Sequence, residues 1–331
     1  MEERLTLAAL ADRVIATERP LIAFHASPDG DAVGSAAALC LIFRALGRRA
    51  ICVCADEVPA RLRFICDFCP EGSFVCGEII DIEGYEPITV DLAAPSQLGG
   101  YSELLSHGAT RFMIDHHARG SYFAPVCVSS EASAAGELLC ELALELISRG
   151  AVQGITRDLA SALYAAICSD TGCFKFANVT PRTFEVAAML ARAGAATDEI
   201  ARLLFDTKTE RRLRAEAETI RLIRRFDGDR ISSVILTQAL FAESGLCEAD
   251  FDGCIDVVRT LAGTETAMLL RERADGSVKV SLRSLERSAV EVCAAFGGGG
   301  HVRAAACTFP AGTDPRVAER ALVEALVAQN S

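Results

Sequence analysis

Apolar residues fall in short runs through the first half of the chain, and longer stretches with apolar positions at helical spacing separate them. Residues 21–25 (LIAFH), 50–54 (AICVC), 88–91 (ITVD) and 112–115 (FMID) read as strands, with helices at about 32–46, 133–148, 157–168 and 181–193. Runs that are apolar on both faces, alternating with helices, predict an α/β fold whose mostly parallel sheet is flanked by helices. From 196 to 226 the pattern changes to TKTERRLRAEAETIRLIRRF and its flanks, highly charged with apolar residues at helical spacing. This reads as a linker helix, and the glutamates among its arginines make it a solvated face rather than a binding patch. Beyond it, strands at 230–236, 266–271 and 278–282 and helices at 248–260, 289–296 and 315–328 predict a smaller C-terminal α/β domain. The expected organisation is therefore a domain over 1–195, a linker helix over 196–226 and a second domain over 227–331.

Composition narrows the setting. A chain of 331 residues exceeds what one core usually holds, and 51% hydrophobic with 24% charged residues is an ordinary globular balance. The first twenty residues carry Glu2, Glu3, Arg4, Asp12 and Arg13 among apolar ones, which reads as an amphipathic helix rather than a signal peptide. No stretch reaches the roughly 18 apolar residues of a membrane span, so a cytoplasmic protein with no membrane partner is expected. Fourteen cysteines are scattered along it. Cys66 and Cys69 form a lone CxxC without a second pair or an interleaved histidine, so unpaired thiols are favoured over structural zinc. A net charge of −12 lacks the positive field that captures long duplex nucleic acid, which leaves a short oligonucleotide or a mononucleotide acceptable as substrate.

The chemistry lies where strands end. After the first strand comes His25-Ala-Ser-Pro-Asp29-Gly-Asp31, an imidazole and two carboxylates within seven residues, with Gly30 read as allowing a tight turn. A solvated turn would use the same Pro, Asp and Gly. The third run ends at Asp91, which alone could equally cap a helix. The fourth ends in Asp115-His116-His117, placing two of only five histidines side by side behind an aspartate. A helix then ends in Cys168-Ser169-Asp170-Thr171-Gly172. Open parallel sheets put ligands at the carboxyl ends of their strands. So many anionic groups in one cleft would repel one another unless cations were bound, and mixed oxygen and imidazole donors suit manganese better than a sulfur-rich zinc site does. Near the C-terminus four glycines precede His301, which would let the backbone approach a phosphate or sugar, and Arg283 ends a strand with a fork suited to phosphate.

Together, Asp115-His116-His117, His25-xx-Pro28-Asp29-x-Asp31, Val90-Asp91, Ser169-Asp170-Thr171-Gly172 and the C-terminal Phe296-Gly297-Gly298-Gly299-Gly300-His301-xx-Ala304-Ala305 resemble the DHH phosphoesterase family with its DHH-associated domain. The resemblance spans nearly the whole chain. It implies two Mn2+ ions, with Mg2+ or other divalent ions as substitutes: His25, Asp29 and Asp91 would hold one, and Asp31, Asp91, His116 and Asp170 the other. Asp91 would bridge them, and water activated between the two metals would attack phosphorus. It implies that His117 contacts the phosphate, and that Arg283, Gly298, Gly299, Gly300, His301 and Arg303 bind substrate. Where the family signature continues with glycine this chain has Ala306, whose methyl narrows the pocket or alters a turn.

The short two-domain form is similar to the branch that degrades short oligoribonucleotides (nanoRNA) and dephosphorylates 3′-phosphoadenosine 5′-phosphate. The alternatives are a cyclic dinucleotide phosphodiesterase of the c-di-AMP type and a non-catalytic nucleotide-binding regulator. Dimers occur in the family, so a homodimer is compatible with the resemblance.

Overall fold

The structure is a computed structural model describing residues 3–106, 109–117 and 119–329. The chain divides into two compact units, Met1–Thr207 and Lys208–Ser331.

In the first unit the strands are β1 Pro20–Ala23, β2 Ile51–Cys54, β3 Phe74–Cys76, β4 Glu86–Val90, β5 Phe112–Asp115 and β6 Val126–Val128. The helices are α1 Leu7–Ala16, α2 Gly30–Ala45, α3 Arg63–Cys66, α4 Ser102–Ser106, α5 Ala135–Ser148, α6 Arg157–Asp170, α7 Pro181–Arg192 and α8 Thr197–Ala201. The strands lie in the order β3-β2-β1-β4-β5-β6, and every pairing is parallel. Successive residues serve opposite faces: Ile22 and Phe24 join one apolar cluster while Leu21 and Ala23 join another. The sheet is therefore covered on both sides, as its uninterrupted apolar strands required. Strand order reverses between β1 and β4, whose carboxyl ends carry the His25 loop and Asp91. Doubly wound sheets open a binding crevice at such a reversal.

Helix α2 is buried from Gly30 to Phe43, and it can be because small residues let α6 approach. A Cβ on Gly34 would lie 2.8 Å from the Ala166 backbone nitrogen and 2.9 Å from the Ala162 oxygen. One on Gly30 would meet Ser169 Oγ at 2.3 Å. Gly30 is the first residue of α2, so close helix packing explains it, not the tight turn expected from sequence. This contact brings Asp31 at the start of α2 toward Asp170 at the end of α6.

The second unit holds β7 Arg224–Phe226, β8 Ile231–Leu236, β9 Thr266–Glu272, β10 Val278–Ser284, β11 Gly299–His301 and β12 Ala304–Phe309. Its helices are α9 Glu210–Arg221, α10 Gln238–Ser244, α11 Ile255–Arg259, α12 Ala289–Ala295 and α13 Pro315–Ala328. The sheet order is β11-β12-β10-β9-β8-β7, antiparallel except for β8 against β9. The continuous helix read over 196–226 is broken. Helix α8 and a π-helical turn at Arg202–Asp206 close the first unit, and α9, capped by Thr209, opens the second.

Gly34→Ala would force α2 and α6 apart and lower stability by about 1–3 kcal/mol, the usual range for overpacking. Urea unfolding of the purified chain measures this, and an unshifted midpoint would contradict the close approach.

Candidate metal centre

Each strand-end residue singled out by sequence, together with Asp170, arrives at one crevice. Asp91 follows β4 with φ +51, a backbone region costly for a residue with a Cβ, and it is buried. Its Oδ2 lies 3.6 Å from His25 Nε2, and its Oδ1 lies 3.6 Å from His116 Nε2. Asp29 caps α2, and its Oδ1 accepts from the amides of Asp31 and Ala32 while lying 3.8 Å from His25 Nε2. On the other side, His116 Nε2 is 3.6 Å from Asp31 Oδ2 and 3.8 Å from Asp170 Oδ2. The donor atoms of His25, Asp29 and Asp91, and those of Asp31, His116 and Asp170, lie within 4.8 Å of one another in each group.

The electrostatics register the crowding. Burial, then the charges of Asp91, Asp170 and Asp29, push the Asp31 carboxyl well above its ordinary range, against the pull of His116. Burial raises Asp170 to about 6 in spite of His116, with Asp29 and Asp91 adding to the rise. Burial disfavours a charged His25, yet the adjacent Asp29 and Asp91 carboxylates carry its pKa to about 11. The cluster thus draws positive charge to itself, as protons where nothing better is supplied.

These residues fit divalent cations on a direct structural test. Asp91 Oδ1 is buried without a hydrogen-bond partner. An orphaned buried carboxylate oxygen is costly unless a cation meets it, and the surrounding donors are oxygen and imidazole nitrogen only. No cysteine belongs to any such group among the described residues. All fourteen cysteines are free thiols.

His117 is held differently. Its Nδ1 is 2.7 Å from Asp115 Oδ1, whereas Asp91 Oδ1 is 3.9 Å away. Coordination through Nδ1 would forfeit the shorter bond. Tyr122 donates to Asp115 Oδ2 at 2.7 Å, completing a Tyr122–Asp115–His117 chain whose first two members are buried. The hydrogen bond that His117 donates to Asp115 leads the effects that raise His117 to about 9. Sequence reasoning gave Asp115 no role of its own and missed Tyr122, which follows a loop with no distinguishing pattern.

The second unit brings its expected residues onto or beside three neighbouring strands, β10, β12 and the edge strand β11. Arg283 on β10 pairs with Ala304 on β12, which pairs with His301 on β11. Arg283 is half-buried and donates one bond, to the Leu282 carbonyl. The His301 side chain lies outside the described residues. Gly299 and Gly300 lie in the edge strand β11, and Gly298 directly precedes it. Gly298 is demanded by the Ala306 oxygen, 2.1 Å from where its Cβ would be, and Gly300 by its φ of +139. At Gly299 a Cβ would meet nothing within 4 Å. Arg303 is exposed between β11 and β12. Ala306 sits within β12 opposite Gly299 and Ser281, so its methyl belongs to a strand face and not to a turn.

Comparison with known proteins agrees with this construction. Residues 20–167 match the model of the DHH family, N-terminal domain. The chain is 32% identical over 305 residues to the bifunctional oligoribonuclease and PAP phosphatase NrnA of Thermus thermophilus, an alignment covering 91% of this chain and 87% of that one. It is 29% identical over 321 residues to the cyclic-di-AMP phosphodiesterase GdpP of Geobacillus thermodenitrificans, covering 90% of this chain but 46% of the relative. The crystal structure of an exopolyphosphatase-related protein from Bacteroides fragilis superposes with a TM-score of 0.84 at 22% identity, covering 98% and 97% of the two chains, which shows the shared fold. Fold, site and relatives define a hydrolase acting on phosphate esters. Within that class the chain belongs to the DHH phosphoesterase family, in the oligoribonuclease and PAP phosphatase branch. No described helix is long and apolar enough to cross a membrane.

Asp115→Asn removes the negative charge beside His117, so the His117 pKa falls from about 9 toward the ordinary value near 6.5. Imidazole NMR of metal-free protein reads this, and a pKa left at about 9 would contradict the pairing.

Proposed function

We propose that this protein is a manganese-dependent phosphoesterase that hydrolyses short oligoribonucleotides and 3′-phosphoadenosine 5′-phosphate. The observation that carries the reading is Asp91, whose two oxygens face His25 and His116 separately while one of them has no partner. His25, Asp29 and Asp91 hold one cation, and Asp31, Asp91, His116 and Asp170 hold the other. Bound in this way, two divalent ions supply charge stabilisation at phosphate oxygens and acidify water for attack on phosphorus.

The chain's own residues do the rest. Asp91 is fixed in a strained backbone at the switch point, so its two oxygens serve both groups without rearranging. His117, oriented by its hydrogen bond to Asp115, offers its remaining nitrogen to the phosphate or to the leaving oxygen as the P–O bond breaks. Arg283 and the backbone of Gly298–Gly300, with His301 and Arg303, bind the nucleotide portion, Arg283 through a planar fork matched to phosphate oxygens. The identity to NrnA over most of both chains supports this substrate pair. The match to GdpP keeps cyclic dinucleotide hydrolysis as a second reading, which the same metals and the same nucleotide grip would serve. A cytoplasmic location and an optional homodimer accompany the reading.

Side-by-side manganese assays of a short RNA, 3′-phosphoadenosine 5′-phosphate and cyclic di-AMP test it. Turnover of the first two above the third is expected, and a preference for cyclic di-AMP would move the assignment to the second reading. No cleavage of any of the three would point to a nucleotide-binding regulator. In the same assay Arg283→Ala raises KM about 10- to 100-fold with kcat nearly held, the range for one charge-assisted hydrogen bond. An unchanged KM would remove Arg283 from the substrate site.

A further inference from the structure

One short segment, residues 132–136, touches His116 and Asp31 directly and reaches Asp170 through Asn178. The Ala132 carbonyl lies 3.4 Å from His116 Nδ1, which sets the ring so that Nε2 faces the carboxylates. The amides of Ala135 and Gly136 donate to Asp31, at 2.7 Å to Oδ2 and 3.1 Å to Oδ1. These are first-turn amides of α5, which have no partner within their own helix. The Ser133 carbonyl accepts from Asn178 Nδ2 at 2.9 Å, and the same nitrogen reaches Asp170 Oδ2 at 3.3 Å and the Asp170 carbonyl at 3.2 Å. Among the described residues, no hydrogen bond joins this segment to His25, Asp29 or Asp91.

What holds the segment is Glu137. Its side chain is buried, and its Oε2 accepts from the Ser133 amide at 3.1 Å, from Ser133 Oγ at 2.6 Å and from Thr183 Oγ1 at 3.2 Å. Thr183 is in turn tied to Thr180, the residue capping α7, so the same carboxyl also anchors the far end of the loop that begins at Asp170. An acidic group buried among neutral donors on two elements is costly to keep for stability alone. Here it fixes the backbone that orients Asp31 and His116 directly and Asp170 through Asn178.

We propose that Glu137 is a positioning residue for the Asp31–His116–Asp170 cation site and not for the His25–Asp29–Asp91 site. Outer partners of ligands tune metal affinity by about 10- to 100-fold when removed. The proposal rests on the two-cation reading above and adds an asymmetry to it: the two cations depend on different supporting structure.

Calorimetric titration of the metal-free full-length chain with MnCl2, followed in parallel by manganese electron paramagnetic resonance, tests this without reference to turnover. The wild type takes up two ions. Glu137→Ala weakens one binding event about 10- to 100-fold and leaves the other in place. Glu137→Gln, which keeps an oxygen to accept the Ser133 bonds, restores the weakened event. Ser133→Ala removes only one of those bonds and weakens the same event less, so it decides the matter should Glu137→Ala fail to fold. Leu146→Ala, a buried truncation at the far end of α5, leaves both events alone. Equal weakening of both ions by Glu137→Ala, or weakening of the same ion by Leu146→Ala, would overturn the proposal while leaving the two-cation reading intact. A wild type that takes up no manganese overturns both.

Discussion

Four carboxylates and two imidazoles crowded at the ends of three strands and two helices form an assembly that cannot hold its charge unaided. Burial raises the carboxyl pKa values of Asp31 and Asp170, and repulsion from the neighbouring aspartates raises them further. The fold tolerates the cluster because backbone amides and buried acceptors hold each member apart from the others. Asp29 caps a helix, Asp31 takes the first amides of α5, and Asp170 is tied to Asn178. With these three carboxylates pinned from behind and Asp91 left without a partner on Oδ1, the cluster faces a shared space, and positive charge is what that space selects.

The approach of α2 to α6 makes the arrangement possible. Without glycine at 30 and 34 the two helices could not lie backbone against backbone, and Asp31 and Asp170 would not meet across His116. The parallel sheet supplies the rest, because reversal of strand order between β1 and β4 opens the crevice into which His25 and Asp91 point. Core packing and chemistry are in this sense one constraint. The same small residues that allow a fully buried central helix set the spacing of the acidic groups.

Much of this was legible in the chain itself. Strands built from β-branched and large apolar runs, such as ITV before Asp91 and FMI before Asp115, announced themselves, and so did the residues that follow them. Short strands without that composition did not. Residues 304–309 (AAACTF) pair on both sides only because β10 and β11 lie beside them, and three alanines carry no local preference for strand. Gly299–His301 carries no local strand signal either. Supporting residues were the least visible: Glu137 lies four positions after Ser133, one more than a capping-box pattern would have, and Asn178 sits in an irregular loop whose partner is set only by tertiary contact. Ligand-type residues stand out by chemical identity and position, whereas the groups that orient them are recognisable only from distances.

The central claim is that Asp91 stands between two cations. Crystals grown with manganese, and measured for anomalous diffraction at its absorption edge, address that claim with no assumption about substrate. The account predicts two peaks about 3.5–4 Å apart, one against each oxygen of Asp91. A lone peak, or a pair that leaves Asp91 uncoordinated, would contradict it.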